Sequence, residues 1–248
     1  MKSIYQRPES LTQENTIYCP GCGHGIIQKL IAEVIDELEI REKTIGVAPV
    51  GCAVLSYNYF NFDVTEAAHG RAPAVATAIK RLLPTRIVFT YQGDGDLAAI
   101  GTAEIIHSAA RGENFSVFFI NNAVYGMTKG QMAPTTLLGQ KTTTTTKGRN
   151  PNFHGFPIRM CELLSSLDGV TYLERTTTSE ISGILATRRA IKKAFLWQMQ
   201  NRGMSFVEIL ASCPTNWKKT PSESMKWIKE EMEKYYPVKV FKEPAEIR

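Results

Sequence analysis

The stretch Arg86-Ile87-Val88-Phe89-Thr90-Tyr91-Gln92-Gly93-Asp94-Gly95-Asp96 decides how this chain is read, because an apolar run of strand length ends on a glycine-framed carboxylate. Beyond it, residues 96–111 predict a helix, and Phe115 to Ile120 predict a second buried strand that ends on the pair Asn121-Asn122. A strand, a helix and a strand in succession make a parallel unit. Both polar clusters then lie at the carboxyl ends of neighbouring strands, the edge where open α/β sheets bind ligands. Glycine on either side of Asp94 allows a sharp turn and close approach to an anion. The Asp94 carboxylate and the Asn122 amide oxygen are hard ligands suited to Mg²⁺. The spacing therefore suggests a metal-diphosphate cradle, and a plain strand-ending turn is the alternative.

Outward from this unit the alternation continues. Ile26, Ile27, Leu30, Ile31, Val34, Ile35 and Leu38 recur at helical spacing, and residues 44–50 read as a strand. Helices are expected at 71–83, 157–167 and 179–201, and strands at 170–174 and 205–210. The fold class is α/β, a doubly wound parallel sheet, in a single domain spanning 1–248. Residues 127–155, rich in Thr, Gly, Gln and Pro, show no period and read as a lid or interaction loop. The threonine run 142–146 reads equally as a β-prone edge or low complexity. A C-terminal helix near 225–235 and a polar tail occupy 221–248. The Ala-rich 72–79 helix suits either a close-packed partner face or an ordinary core contact.

Hydrophobic residues make up 43% of the 248, enough for a sizeable core, and the net charge is only +5. No basic run or basic-aromatic strip supports nucleic-acid binding. No apolar stretch reaches membrane-spanning length, and the N-terminus around Lys2, Arg7, Pro8 and Glu9 lacks a signal-peptide core. The expected location is cytoplasmic, with no membrane association.

Of the five cysteines, Cys19, Cys22, Cys52 and Cys213 stand in loops beside Gly or Pro, and Cys161 falls within an apolar helix pattern as a buried thiol. Cys19-Pro-Gly-Cys22 aims two sulfurs at one centre. A zinc ribbon would show a second such pair, an odd cysteine count in a cytoplasmic chain disfavours a disulfide framework, and a redox pair leaves Cys52 and Cys213 unexplained. A 4Fe-4S cluster takes four scattered thiolates and suits the pattern.

Together the segments YCPGCGHG, VGCAVLSYNYF, HGRAPAVATAIK, GDGDLAAIGTAEIIHSAARGENFSVFFINNAVYGMTKGQ and CPTNW resemble, in the family's order, the β subunit of 2-oxoacid:ferredoxin oxidoreductases. The resemblance implies a diphosphate-binding domain for thiamine diphosphate, with magnesium held by Asp94, Asn122 and the main-chain carbonyl of Val124. It places Gly95 and Asp96 along the diphosphate, and Gly126 and Met127 on the cofactor's other side. Val50, Gly51, Cys52 and Ala53 would line the thiamine, His69 would contact it, and Cys19, Cys22, Cys52 and Cys213 would ligate the 4Fe-4S cluster. The implied activity is oxidative decarboxylation of a 2-oxoacid to acyl-CoA, with electrons passing through the cluster to ferredoxin. An α subunit would supply the activating Glu, and γ and ferredoxin-like δ subunits are further expected partners in a heterooligomer.

Two residues divide the substrate reading. Leu55 is apolar where 2-oxoglutarate members tend to place a cation, which favours a branched-chain substrate such as 2-oxoisovalerate. Lys129 replaces a glycine common in branched-chain members and suits the distal carboxylate of 2-oxoglutarate. A solvated loop lysine is the alternative. A non-oxidative decarboxylase subunit and a noncatalytic cluster scaffold are the competing functions; the intact cysteines argue against the first, and Asp94 with Asn122 against the second.

Overall fold

The computed structural model describes residues 6–245, so Lys2 and the last three residues of the tail lie outside it. Strands β1 (Thr44–Pro49), β2 (Asp63–Ala67), β3 (Ile87–Gly93), β4 (Ser116–Asn121), β5 (Val170–Thr177) and β6 (Met204–Leu210) pair in parallel, and β7 (Lys239–Lys242) adds antiparallel to β5. The order is β2-β1-β3-β4-β6-β5-β7. Helices follow as α1 (Gly23–Glu37), α2 (Ala72–Leu82), α3 (Thr102–Ala110), α4 (Pro151–His154), α5 (Met160–Leu164), α6 (Ile181–Met199), α7 (Pro214–Trp217) and α8 (Pro221–Trp227). No helix among the described residues is long and apolar enough to cross a membrane.

Strand residues alternate between the two faces, so the sheet builds two cores. Phe89, Tyr91, Phe118, Ile120 and Val207 pack against Ile27, Ile31 and Ile35 of α1 and Ile191 and Phe195 of α6. On the opposite face Val88, Val117, Phe119 and Phe206 meet Ala72 and Ala76 of α2, Ile105 of α3 and Leu164 of α5. Phe195 packs edge-on against Phe89 and Phe118, with centroids 5.8 and 5.3 Å apart. Each such buried ring contributes about 2 kcal/mol or more relative to exposure. In α2 the small residues divide: Ala72 and Ala76 serve the sheet, whereas Ala74 and Ala78 face outward.

Four local departures from the expected pattern have physical causes. The 96–111 helix opens as a π turn over Asp96–Ile100, because Gly101 N bonds Asp96 O five residues back. That widened turn accommodates Gly70, whose backbone approaches so closely that a Cβ on Gly101 would lie 2.7 Å from Gly70 O. The 157–167 helix shrinks to α5, since Ile158 N is drawn to Pro134 O before the helix starts. β2 is a polar edge strand with the half-exposed pattern of Asp63, Thr65 and Glu66, which hides it from hydrophobic periodicity. The tail expected to be merely polar supplies β7, antiparallel to β5, in which Lys239 and Val240 are exposed and Phe241 packs against the core.

Residues 127–155 remain irregular apart from α4 and are organised by Arg149. Its buried guanidinium donates to the carbonyls of Pro134 (2.9 Å), Thr136 (2.6 Å), Gly155 (3.1 Å) and Phe156 (2.8 Å). A buried cation is tolerated because its donors are satisfied.

A second buried cation crosses the sheet. Arg175 on β5 donates to Glu208 on β6 at 2.9 Å and to Glu162 on α5 at 2.6 Å, and both Arg175 and Glu208 are fully buried. Asn121 Nδ2 donates to the other Glu208 oxygen at 2.7 Å. Arg175 also donates to Pro237 O and lies over the rings of Tyr236 and Phe241, which ties β7 and the chain before it to the sheet. Removing one partner of such a pair strands a buried charge, so Arg175→Leu is expected to cost about 3–5 kcal/mol. Arg175→Leu combined with Glu208→Leu should recover much of that loss. Urea unfolding of both variants tests this, and a double variant no more stable than the single would overturn it.

Candidate functional site

Strand order reverses at β1 and β3, since β2 lies beyond β1 on one side and β4 beyond β3 on the other. Loops leaving β1 and β3 must therefore diverge, and they leave a crevice at the carboxyl edge. Its walls include Val50, Gly51, Cys52 and Ala53 after β1, Gly93 to Asp96 after β3, and Asn122 with Val124 to Thr128 after β4; His24, His69 and Ile100 complete it.

Asp94 is the buried anion of this crevice. Its Oδ2 accepts from the backbone N–H of Asn122 (3.1 Å) and Val124 (3.4 Å), and its Oδ1 accepts from Thr135 Oγ1 (2.6 Å). Burial raises its pKa to about 7, with Glu208 adding to the rise and the three hydrogen bonds opposing it. The end of the Asn122 side chain stands 2.6 Å from Asp94 Oδ2 and 2.7 Å from Val124 O. With its nitrogen inward, the amide donates to both. With its oxygen inward, three oxygens share one small space with no donor between them, an arrangement that suits a hard cation.

Asp96, at the base of the π turn, accepts from Gly70 N (2.5 Å), His69 Nδ1 (2.8 Å) and Gln92 Nε2 (2.7 Å). Burial raises its pKa, and these contacts offset the rise. The carboxylate thus orients His69 toward the crevice wall. His24 is buried beneath the crevice, stacked on Tyr18 and bonded through Nδ1 to Tyr91 Oη at 2.7 Å. Burial lowers its pKa to about 4, so the ring is neutral at physiological pH.

The loop cysteines converge on the same edge. Cys22 N donates to Cys19 O, which closes the first turn, and Gly23 N donates to Ser212 O, which presses that turn against the chain leaving β6. A Cβ on Gly23 would lie 2.7 Å from the Ala211 Cβ, so only glycine permits this approach. Tyr18 Oη donates to Cys52 O at 3.1 Å and ties the β1 loop to the same group. Burial foremost, with neighbouring loop thiols adding, raises Cys22 to about 12 and Cys52 to about 11. Cys213 is raised by burial foremost, with Cys19 adding and Asn216 opposing. Among the described residues no three His, Cys, Asp or Glu side chains are close enough to hold one ion. A 4Fe-4S cluster separates its thiolates more widely than a single tetrahedral ion does, and four thiols are the donor set it would use.

Around the crevice the structure brings together the expected residues after β1, β3 and β4, with His69, whereas Cys19, Cys22 and Cys213 and the two residues expected at the substrate are absent from its lining. Leu55, half-buried in the 3₁₀ segment Cys52–Asn58, and Lys129, exposed, are absent from the crevice wall. Cys161 is fully buried in α5. Thr135, His24 and Gln92 were not foreseen. Thr135 was indistinguishable among its neighbouring threonines, and Pro134 beside it was the one local sign of a fixed turn.

A parallel sheet with an acidic, glycine-lined edge of this kind defines a class of diphosphate-binding domains, and the family model "Thiamine pyrophosphate enzyme, C-terminal TPP binding domain" matches residues 49–209. The chain is 48% identical over 243 residues to ketoisovalerate oxidoreductase subunit VorA of Methanothermobacter marburgensis, covering 98% of this chain and 51% of that relative, so it spans about half the relative's length. It is 37% identical over 232 residues to 2-oxoglutarate synthase subunit KorB of Methanocaldococcus jannaschii, covering 91% of this chain and 80% of that one. A solved 2-oxoglutarate:ferredoxin oxidoreductase from Magnetococcus marinus, with 2-oxoglutarate, coenzyme A and succinyl-CoA bound, shares the fold: TM-score 0.77, 23% identity, 99% of this chain and 88% of that chain. The chain belongs to the thiamine pyrophosphate-binding subunits of the 2-oxoacid:ferredoxin oxidoreductase family.

Lys129 shows why glycine suits its position. At φ 78 it lies in the left-handed region, which costs a residue with a Cβ about 1 kcal/mol. Lys129→Gly is expected to raise unfolding stability by about 1 kcal/mol in urea. Unchanged or lower stability would show that the lysine side chain compensates for its backbone.

Proposed function

We propose that this chain holds the diphosphate end of thiamine diphosphate and a 4Fe-4S cluster, as the β subunit of an enzyme that oxidatively decarboxylates a 2-oxoacid to acyl-CoA. One observation carries the reading. A Cβ on Gly126 would lie 3.3 Å from Cys52 Sγ, 3.8 Å from Cys213 Sγ and 3.8 Å from Asn122 Nδ2. Two of the loop sulfurs and the end of the Asn122 side chain therefore meet at a single glycine.

Thiamine diphosphate supplies the carbon nucleophile for 2-oxoacid cleavage, and the cluster supplies a one-electron acceptor. The chain's own residues do the rest. Asp94, Asn122 and the Val124 carbonyl hold Mg²⁺, which neutralises the diphosphate. Gly95 and the Asp96–His69 pair follow the diphosphate; Val50 to Ala53 and Gly126 with Met127 line the thiamine. Cys19, Cys22, Cys52 and Cys213 bind the iron, and Cys52 belongs to both walls.

No Glu lines the crevice among the described residues, and its two carboxylates, Asp94 and Asp96, are already engaged. Val50, Ile100 and Met127 leave an exposed apolar rim. Both features suit an α subunit that covers the rim and brings the activating Glu, with γ and δ subunits carrying electrons to ferredoxin and coenzyme A accepting the acyl group. The branched-chain reading gains from the higher identity to the ketoisovalerate subunit than to the 2-oxoglutarate subunit, and from Lys129 lying outside the crevice wall.

Protein purified without air should carry about four irons per chain and visible absorption that bleaches when the α subunit, 2-oxoisovalerate and coenzyme A are added together. An iron-free protein from the same preparation sinks the cluster reading. Aldehyde release without bleaching would make it a decarboxylase instead.

Asp94 gives a pH test. Its metal-free value of about 7 lies above the ordinary carboxyl value of 3.8, so this contribution to the metal-free fold is full below about pH 4 and is lost as pH rises through about 7. Mg²⁺ binds the ionised form, and protons compete with it below that point. The thermal stabilisation by Mg²⁺ with thiamine diphosphate should therefore grow between about pH 6 and 8 and vanish in Asp94→Ala. A pH-independent stabilisation would contradict this assignment.

A further inference from the structure

The short α7 turn, Pro214–Trp217, joins the two halves of the site through side chains that neither motif assigns. Asn216 Nδ2 lies 3.2 Å from Cys213 Sγ and 2.9 Å from Gly126 O, in position to donate one hydrogen to each. Trp217 Nε1 donates to Asn122 O at 3.1 Å, so the same turn grips the post-β4 loop twice. Gly130 closes over the other side of the amide: a Cβ there would lie 3.0 Å from Asn216 Oδ1. Among the described residues, Asn216 provides the one side-chain hydrogen bond to any of the four loop sulfurs.

We infer that Asn216 is a positioning residue that tunes the cluster, by donating a hydrogen bond to the Cys213 sulfur while its second hydrogen pins the cofactor loop at Gly126. This rests on the cluster reading proposed above. An N–H···S bond stabilises the thiolate most when the cluster carries its extra electron, so it raises the reduction potential. The enzyme would thereby ease electron transfer from the cofactor side without placing a cation beside the iron. The bond to Gly126 keeps sulfur and cofactor loop at a constant separation, which a bond to sulfur alone would not do.

Asn216→Leu preserves the side chain's approximate volume and removes both donors; Asn216→Asp preserves its shape and replaces the donors with a negative charge. The test uses the assembled enzyme, prepared without air, with iron content measured first and the midpoint potential by EPR-monitored titration. Both variants should keep their iron and shift the midpoint to more negative potential, Asp further than Leu. A slower single-turnover bleaching by 2-oxoacid with coenzyme A should accompany the shift. Iron-replete variants with the wild-type midpoint overturn the inference and leave the cluster reading intact, whereas an iron-free wild type removes both. Wild-type enzyme labelled with ¹⁵N only at asparagine side-chain amides gives a test independent of folding. A ¹⁵N coupling to the reduced cluster is expected, and its absence overturns the inference.

Discussion

A carboxylate buried at the end of a parallel strand must find donors or lose its charge, and Asp94 is the group around which this edge is organised. Its donors come from two directions: the backbone after β4 and Thr135 in the irregular segment. Meeting that demand bends the post-β4 chain back through Ala123 at φ 55 and brings Val124 O to the end of the Asn122 side chain, beside Asp94. It also anchors residues 127–155, because Thr136 and Gln140 both donate to Ala123 O. The C-terminal region joins through Tyr236, whose hydroxyl donates to Thr135 O at 2.6 Å.

Behind this edge lies a buried polar layer whose work is structural. Glu208 accepts from Arg175 and Asn121, and Asn121 Oδ1 in turn accepts from Ala123 N at 3.2 Å. The ion pair in the middle of the sheet is thus linked by two hydrogen bonds to the loop that carries Asn122. The proximity of Glu208 also helps to raise Asp94. An unpaired anion in that layer would raise Asp94 further, so Arg175 serves the site as well as the fold.

The strands and the polar residues at their ends were legible because buried parallel strands are near-continuous apolar runs and their carboxyl-end loops carry the chemistry. The 87–93 and 116–121 strands, the 181–199 helix and the placement of Asp94, Asn122 and Cys52 all followed from that pattern. Elements without hydrophobic periodicity were missed. The edge strands β2 and β7 bury little, and the irregular segment is held by side-chain to carbonyl bonds from Arg149 that leave no periodic trace. Thr135 escaped notice for the same reason, since one hydroxyl among many threonines reaches Asp94 only through folding.

By itself the sequence determined the α/β class, the family and the polar residues that line the crevice, because short-range periodicity and motif chemistry are local properties of the chain. Only the tertiary structure decided how those motifs meet. The strand reversal at β1 and β3 opens the crevice, the contact of Gly23 with Ala211 brings the first cysteine turn to Cys213, and Asn216 ties the turn after β6 to Gly126. These are contacts between residues far apart in the chain. Their geometry follows from strand order and close packing, which no local pattern encodes.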